Sequence, residues 1–446
     1  RNGGQVTGSL SGDEAMRKQM RNTLGEEVDD FIWHLRWRGH EIIKSRVAKY
    51  GIQCDLRHGH LHAAMKHSHM DELRASYAEA VRRGMGDEVT LLDAAGVRAQ
   101  LGSELYCGAL KNTRNMHLHP LNLALGEAAA AASLGVRLFE HSPVTRIDHG
   151  AEVKVHTAQG SVRAKTLVLA CNAYLNGLDP TLGGKVLPAG SYVIATEPLG
   201  EARARKLIPQ NMALCDQRVT VDYYRLSADR RLLFGGACHY SGRDPADIAG
   251  YMRPKMLKVF PQLADVRIDY QWGGMIGIGA NRLPQIGRLK DQPNVFHAQA
   301  YAGHGVNATH LAGKLLGEAI AGQASRGFDL FDKAGLKMPD SPTWDFVVDA
   351  AKKLTDKSAG VYGICLRGKP GWGENMGFVT PLVTAFGGQW FDMQWRPRIN
   401  TPEWRNAITW YSDALRQFGP PGVTSNGFNE TLALYAGGRC GIWIDA

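Results

Sequence analysis

The sequence predicts a mixed α/β chain assembled from two unlike pieces. Three observations carry this. Short apolar runs such as "KTLVLACNA", "RLLFGGA", "VYGIC" and "CGIWI" have the length of strands and end in glycine or polar breaks. Between them lie segments with apolar residues at helical spacing, among them Leu311, Leu315, Ala319 and Ile320. The two ends also differ in composition: all 16 His precede residue 311, while Trp is concentrated after residue 340.

At 446 residues the chain exceeds one ordinary domain. The net charge is +9, but basic and acidic residues are interleaved, which argues against a nucleic-acid partner. No apolar run is long enough for membrane insertion. The seven Cys, at 54, 107, 171, 215, 238, 365 and 440, form no C-x-x-C pair. Their odd number and wide scatter predict reduced thiols.

In chain order, residues 13–49 read as one long or broken helix carrying Phe31, Leu35, Ile42 and Val47. "VRLFEHSPVTRID" reads as a strand, a turn at Ser142-Pro143 and a second short strand. "AEVKVHTAQGSVRA" alternates around Gly160 and reads as a hairpin. The run "KTLVLACNA" predicts a strand buried on both faces of a parallel sheet. A strand over 295–299 then enters a glycine loop, and a helix follows from about Asn307. Such a loop can present free backbone N–H groups to a ligand, and the helix dipole favours negative charge there. His58, His60 and His62 alternate and would share one strand face, and His117 and His119 repeat the spacing. No Cys or carboxylate completes a metal set, so polar lining is the preferred reading over a zinc site.

The ordered segments "RNGGQ", "RNMHLHPLNLALGEAAAAASLGVRLFEHSPV", "LVLACNAYL", "VDYYRLSADRRLLFGG", "WGGMIGIGANRLPQIGRL" and "VFHAQAYAGHGVNATHLAGKLLGEAIAG" resemble the FAD-dependent D-amino-acid-oxidase-like family, in its gamma-glutamylputrescine oxidoreductase branch. The resemblance covers residues 1–333, with substrate-domain portions near 45–115 and 185–275. It implies a Rossmann-type FAD-binding domain, an antiparallel substrate domain and oxidation of a C–N bond in a small amine or amino acid by hydride transfer to flavin. In that family "RNGGQ" follows a first βαβ element with its G-x-G-x-x-G turn. The resemblance therefore implies an incomplete cofactor domain that holds FAD poorly.

Cofactor residues carry over by position. Arg1, Asn2, Gly3, Gly4 and Gln5 match the loop beside the flavin ring and pyrophosphate. Val144 matches the residue at the adenine, and Ala170 ends the second cofactor strand. Gly303, His304, Gly305 and Val306 match the loop over the pyrimidine side of the ring. Ala300 stands where the family usually has Gly. The catalytic candidates are Tyr224, Arg225 and His304. On a strand, Tyr223 and Arg225 share one face and Tyr224 takes the other. Arg225 either holds a carboxylate bidentately or is a surface Arg on a strand edge. Trp272 either walls the pocket or, the preferred reading, is a core residue.

In the second piece, residues 334–446, Thr401-Pro402-Glu403 is a helix start. Trp404, Ile408, Tyr411, Leu415 and Phe418 form an apolar stripe ended by Pro420-Pro421. "TWDFVVDAAKKLTDK" is a similar helix. The strings "VYGICLRGKPGWGENMGFVTPLVTAFGGQWFD", "INTPEWRNAITWYSDAL" and "LYAGGRCGIWIDA" resemble part of a periplasmic sugar- or polyol-binding protein of an ABC importer. Trp372, Trp390 and Trp443 could then pack on a sugar face, with Glu374 and Asp445 accepting hydroxyl hydrogen bonds. "DLFDK", residues 329–333, fits both families, so the sequence predicts a chimera joined there. The first piece points to the cytoplasm and the second to an exported protein.

Overall fold

The structure is a computed structural model. It describes residues 2–9, 11–24, 28–218, 220–321, 336, 339, 342–371, 373–436 and 438–444. The chain divides into two compact units, Arg1–Leu316 and Gly317–Ala446. The stretch "DLFDK" lies outside the described residues.

The first unit contains β1 (Gln5–Val6), β2 (Arg57–Ala64), β3 (Val89–Asp93), β4 (Gly108–His117) and β5 (Val144–Asp148). It continues with β6 (Val153–Thr157), β7 (Ser161–Ala164), β8 (Leu167–Leu169), β9 (Leu187–Thr196) and β10 (Ala213–Asp216). Last come β11 (Tyr223–Leu226), β12 (Leu232–His239), β13 (Ile268–Ile278), β14 (Gln285–Arg288) and β15 (Val295–Gln299). Nine of these strands form one sheet in the order β1-β4-β2-β10-β11-β12-β9-β13, with β3 on β4. Pairing is antiparallel except between β2 and β10.

Period-two alternation gives this sheet two different faces. Leu61, Leu214, Tyr224, Phe234 and Ile194 face each other across successive strands. They are buried against Ala204 and Leu207 of one helix and Met252, Met256 and Val259 of another. The neighbouring row on the opposite face is His62, Cys215, Tyr223, Gly235, Val193 and Trp272, again in register. All but Gly235 and Val193 are half-buried. The apolar row supplies the core; the polar row is left for chemistry.

Two small sheets complete the unit. The hairpin β6–β7 forms around Gly160 as its alternation predicts, and β5 pairs with β6. Strand β8 runs parallel to β15, which in turn pairs with β14. Burial on both faces does not follow: Val168 of β8 is 41% exposed. The strand expected at Val136–Phe139 does not form either. That segment is unpaired, and Val136, Leu138 and Phe139 are exposed. Alternation gives a chain strand character, but a strand exists only where a neighbour accepts its hydrogen bonds. The long helix breaks into Asp13–Leu24 and Val28–Tyr50. The helix after β15 starts at Gly305, two residues before the expected Asn307.

In the second unit β16 (Tyr362–Cys365) and β17 (Cys440–Trp443) pair in parallel. Helices Trp344–Leu354, Asn375–Ala385, Pro402–Phe418 and Phe428–Ala436 accompany them. Thr343 caps the first, its Oγ1 accepting from Phe346 N–H at 3.1 Å. Thr401 occupies the N-cap position before Pro402, but its side chain makes no cap hydrogen bond. The stripe of that helix is rotated from the expected one. Trp404, Ala407, Tyr411, Ala414 and Leu415 are buried, and Ile408 is 40% exposed.

Cys365 and Cys440 form a disulfide, which corrects the expectation of seven reduced thiols. Scatter along the sequence hid a pair that adjacent parallel strands bring to a Cα separation of 6.0 Å. Cys54, Cys107, Cys171, Cys215 and Cys238 are free. Closing a loop with a separation of 75 residues contributes about 4 kcal/mol in the chain-entropy account. Thiol titration of the unfolded, unreduced protein should therefore find five reactive thiols, and reduction should lower the unfolding midpoint of this unit. Seven thiols before reduction would contradict the bridge.

Candidate functional site

The double glycine at the start of the chain is explained by what lies against it. Gly4 has a φ of +75° and its N–H donates to Asn2 Oδ1 at 2.8 Å. A Cβ on Gly4 would stand 2.1 Å from the Leu118 carbonyl oxygen, and one on Gly3 would stand 2.5 Å from the Tyr223 ring. Gly235 makes room for the same ring, with a notional Cβ 2.3 Å away. Tyr223 thus packs against two glycines. Gln5 fixes the loop to the sheet: its Nε2 donates to Leu214 O at 2.8 Å, and its Oε1 lies 3.2 Å from His60 Nε2. The Arg1 position lies outside the described residues.

Arg225 is neither a surface residue nor a free carboxylate fork. It is buried, its Nε donates to Gly3 O at 2.7 Å and its Nη1 to Leu226 O at 3.0 Å. Two of its donor positions are thereby committed to backbone carbonyls. Tyr224 is corrected out of the catalytic set. Its ring stacks on Phe234 at 5.5 Å inside the apolar core, and its hydroxyl donates to Tyr106 at 3.0 Å. The reason is the alternation itself, which turns Tyr224 away from the loop that Tyr223 and Arg225 touch. Trp272, expected in the core, instead ends the polar row half-buried.

The second loop follows β15. Ala300, Ala302 and Gly303 have φ of 65°, 47° and 92°. Ala300 adopts a backbone that favours glycine, and its N–H is held by Asn172 Oδ1 at 2.9 Å. Ala302 N–H donates to Gly277 O of β13 at 2.8 Å, joining the loop to the sheet. A Cβ on Gly303 would meet nothing within 4 Å, so open space faces it. Gly305 then begins the helix, and Val306 lies in its first turn. His304 is half-buried, with Nδ1 3.3 Å from Ala302 O. Burial lowers its pKa, opposed by the Ala302 carbonyl and by Asp13. His62, also lowered by burial, lies within electrostatic reach of His304. Ala170 is exposed two residues before Asn172, close in sequence to the group that holds Ala300. Val144 begins β5, in a different sheet.

A buried clasp links the two loops. His40 Nε2 stands 3.1 Å from Val6 O, next to the first loop, and Nδ1 stands 3.1 Å from Asn307 Oδ1, next to the second. Asn307 Nδ2 donates to Arg36 O at 2.8 Å. The approach is possible because residue 39 is glycine; a Cβ there would stand 2.1 Å from Asn307 Oδ1. Neither His40 nor Asn307 stood out in the sequence. A glycine beside a histidine within a helix was the available signal.

His60 and His62 lie on the same side of β2 as their spacing predicts, but a register shift between His58 and His60, with Gly59 at a φ of 108°, interrupts the alternation before His58. Among the described residues no cluster of three or more His, Cys, Asp or Glu could hold a metal. In the second unit Trp372 and Asp445 lie outside the described residues. Glu374 and Trp443 both meet Phe428: Glu374 Oε2 accepts from its N–H at 3.1 Å, and the Trp443 ring lies 5.7 Å from its ring. Trp390 instead packs on Trp404 at 4.7 Å.

Residues 1–319 match the family described as FAD dependent oxidoreductase (DAO). The chain is 42% identical over 332 residues to the gamma-glutamylputrescine oxidoreductase of Escherichia coli (strain K12), covering 74% of this chain and 76% of that protein. The chain belongs to the FAD-dependent oxidoreductase family. A flavoenzyme fold agrees with this: the crystal structure of glycine oxidase from Geobacillus kaustophilus aligns with a TM-score of 0.58 at 20% identity, covering 70% of this chain and 84% of that one. Residues 328–446 match the bacterial extracellular solute-binding protein family. There the chain is 52% identical over 118 residues to the mannitol-binding protein of Pseudomonas aeruginosa, covering 26% of this chain and 27% of that protein.

FAD is the family's cofactor, and this site suits it in three respects. The first loop offers glycine backbone with its side-chain directions already filled, open space faces Gly303, and a helix N-terminus begins at Gly305.

Burial also makes the site pH-sensitive. It lowers the pKa of His40 and of His117 to about 4, and that of His60 to about 3. The unfolded chain binds these protons near pH 6.5 and the folded chain does not. Stability should therefore fall as pH drops from about 6.5 towards 4, by up to about 3 kcal/mol per buried histidine. Urea unfolding at several pH values measures this, and His117→Asn should flatten the slope. Stability that is constant from pH 7 to 4.5 would contradict it.

Proposed function

We propose that the first unit oxidises the C–N bond of a gamma-glutamylputrescine-like amine, with flavin resting between the Asn2–Gln5 and Gly303–Val306 loops. The observation that carries this reading is the polar row His62, Cys215, Tyr223, Gly235 and Trp272, in which Tyr223 lies against Gly3 of the first loop and His62 lies within electrostatic reach of His304 of the second. The identity to a named gamma-glutamylputrescine oxidoreductase supports the substrate class.

Bound FAD would supply the acceptor for a hydride from the C–H beside the substrate nitrogen. The chain's residues do the rest. Backbone at Asn2, Gly3, Gly4, Gly303 and Gly305 would hold the ring, and the helix start at Gly305 and Val306 would favour negative charge there. Tyr223, packed against two glycines, would present a fixed wall to the substrate. His62 and His304, lowered by burial, are uncharged at neutral pH. They therefore add no positive charge that would oppose a cationic amine entering the site. Val144 would meet the adenine, and Ala170 would end the second cofactor strand. Five free thiols support a cytoplasmic setting for this unit, while the Cys365–Cys440 bridge suits an oxidising compartment.

A steady-state assay of the purified, FAD-supplemented chain tests the reading. Peroxide or dye reduction with gamma-glutamylputrescine should give a kcat/KM at least ~10-fold above that for putrescine or a D-amino acid, a difference of about 1.4 kcal/mol in transition-state binding. Equal or reversed preference would exclude this substrate class.

A further inference from the structure

Arg225 is 3% exposed, yet among the described residues no carboxylate lies within ion-pair distance of it. Asp55 is the acid within electrostatic reach, and it is engaged with Arg57 at 2.9 Å. The neighbouring His117 is kept neutral by burial and adds no compensating charge. Burial draws the guanidinium down only to about 10, so it remains a cation at neutral pH. A buried charge without a counter-ion is unfavourable, and an apolar side chain of the same size would avoid that cost. The charge also has a defined outlet. Nε donates to Gly3 O, and Nη2 lies 3.0 Å from where a Cβ of Gly4 would be. Only glycine backbone separates the guanidinium from whatever rests on the first loop.

We infer that Arg225 is an electrostatic positioning residue, holding the Gly3–Gly4 peptide and favouring negative charge on the cofactor ring beyond it. This rests on the proposed placement of flavin on that loop. Reduction by two electrons and one proton leaves the ring with one negative charge; a cation behind the loop stabilises that form over the neutral oxidised one. Arg225 therefore raises the reduction potential of bound FAD.

Two substitutions separate charge from hydrogen bonding. Arg225→Gln keeps a donor for Gly3 O but removes the charge; Arg225→Lys keeps the charge but loses the planar fork. The potential of bound FAD, read by dye equilibration, should fall in Arg225→Gln by at least tenfold in the reduction equilibrium, about 30 mV for two electrons. In Arg225→Lys most of it should be retained. The Gln variant should lose kcat more than KM. Equal shifts in both variants, or none in either with FAD still bound, overturn the inference and leave the proposed function standing. A wild-type chain that takes up no flavin overturns both.

Discussion

The first unit depends on one buried polar contact, the meeting of His40 with the Val6 carbonyl and the Asn307 side chain. Each loop is also tied to the sheet or its neighbours by its own contacts, Gln5 and Arg225 for the first and Asn172 and Gly277 for the second, but this contact joins the two loop-bearing segments to each other. His40 is 1% exposed and Asn307 3%, so each unmade hydrogen bond there would cost about 1–3 kcal/mol. Low dielectric makes the contact strong when formed and costly when broken. Gly39 permits it, since any side chain at that position would overlap Asn307. Two segments about 300 residues apart in the sequence are thus held in one arrangement through a third.

Around this clasp the large sheet acts as a partition. Its apolar row binds the sheet to two helices in the largest buried cluster of the unit. Its polar row is exempt from that duty and can carry Tyr, His, Cys and Trp side chains beside the loops. The exchange of Tyr223 for Tyr224 as the residue at the site is a consequence of this partition. One step along a strand changes the face, and with it the chemistry a tyrosine can take part in.

The features legible in the sequence were local ones. Alternation placed His60 and His62 together and separated Tyr223 and Arg225 from Tyr224, whereas the irregularity at Gly59 that sets His58 apart was not readable. A strand, a glycine loop and a helix were readable at 295–320 because each has a short-range signature. Contacts between distant residues were not readable. His40 and Asn307 are 267 positions apart, and no pattern within either segment announces the other. Cys365 and Cys440 show the same limit, since pairing depends on two strands becoming neighbours. Val136–Phe139 shows the converse: a strand pattern without a partner gives an exposed, unpaired segment. Arg225 combined both, because its face was predictable and its attachment to Gly3 was not.

The account's central claim is that His40 and Asn307 act together to set the spacing of the two loops around the cofactor. A double-mutant cycle on the FAD dissociation constant, using His40→Ala, Asn307→Ala and the pair, tests it most directly. The account predicts at least a tenfold loss of affinity in each single variant and no further loss in the double. Affinities within twofold of wild type, or losses that simply add, would contradict it.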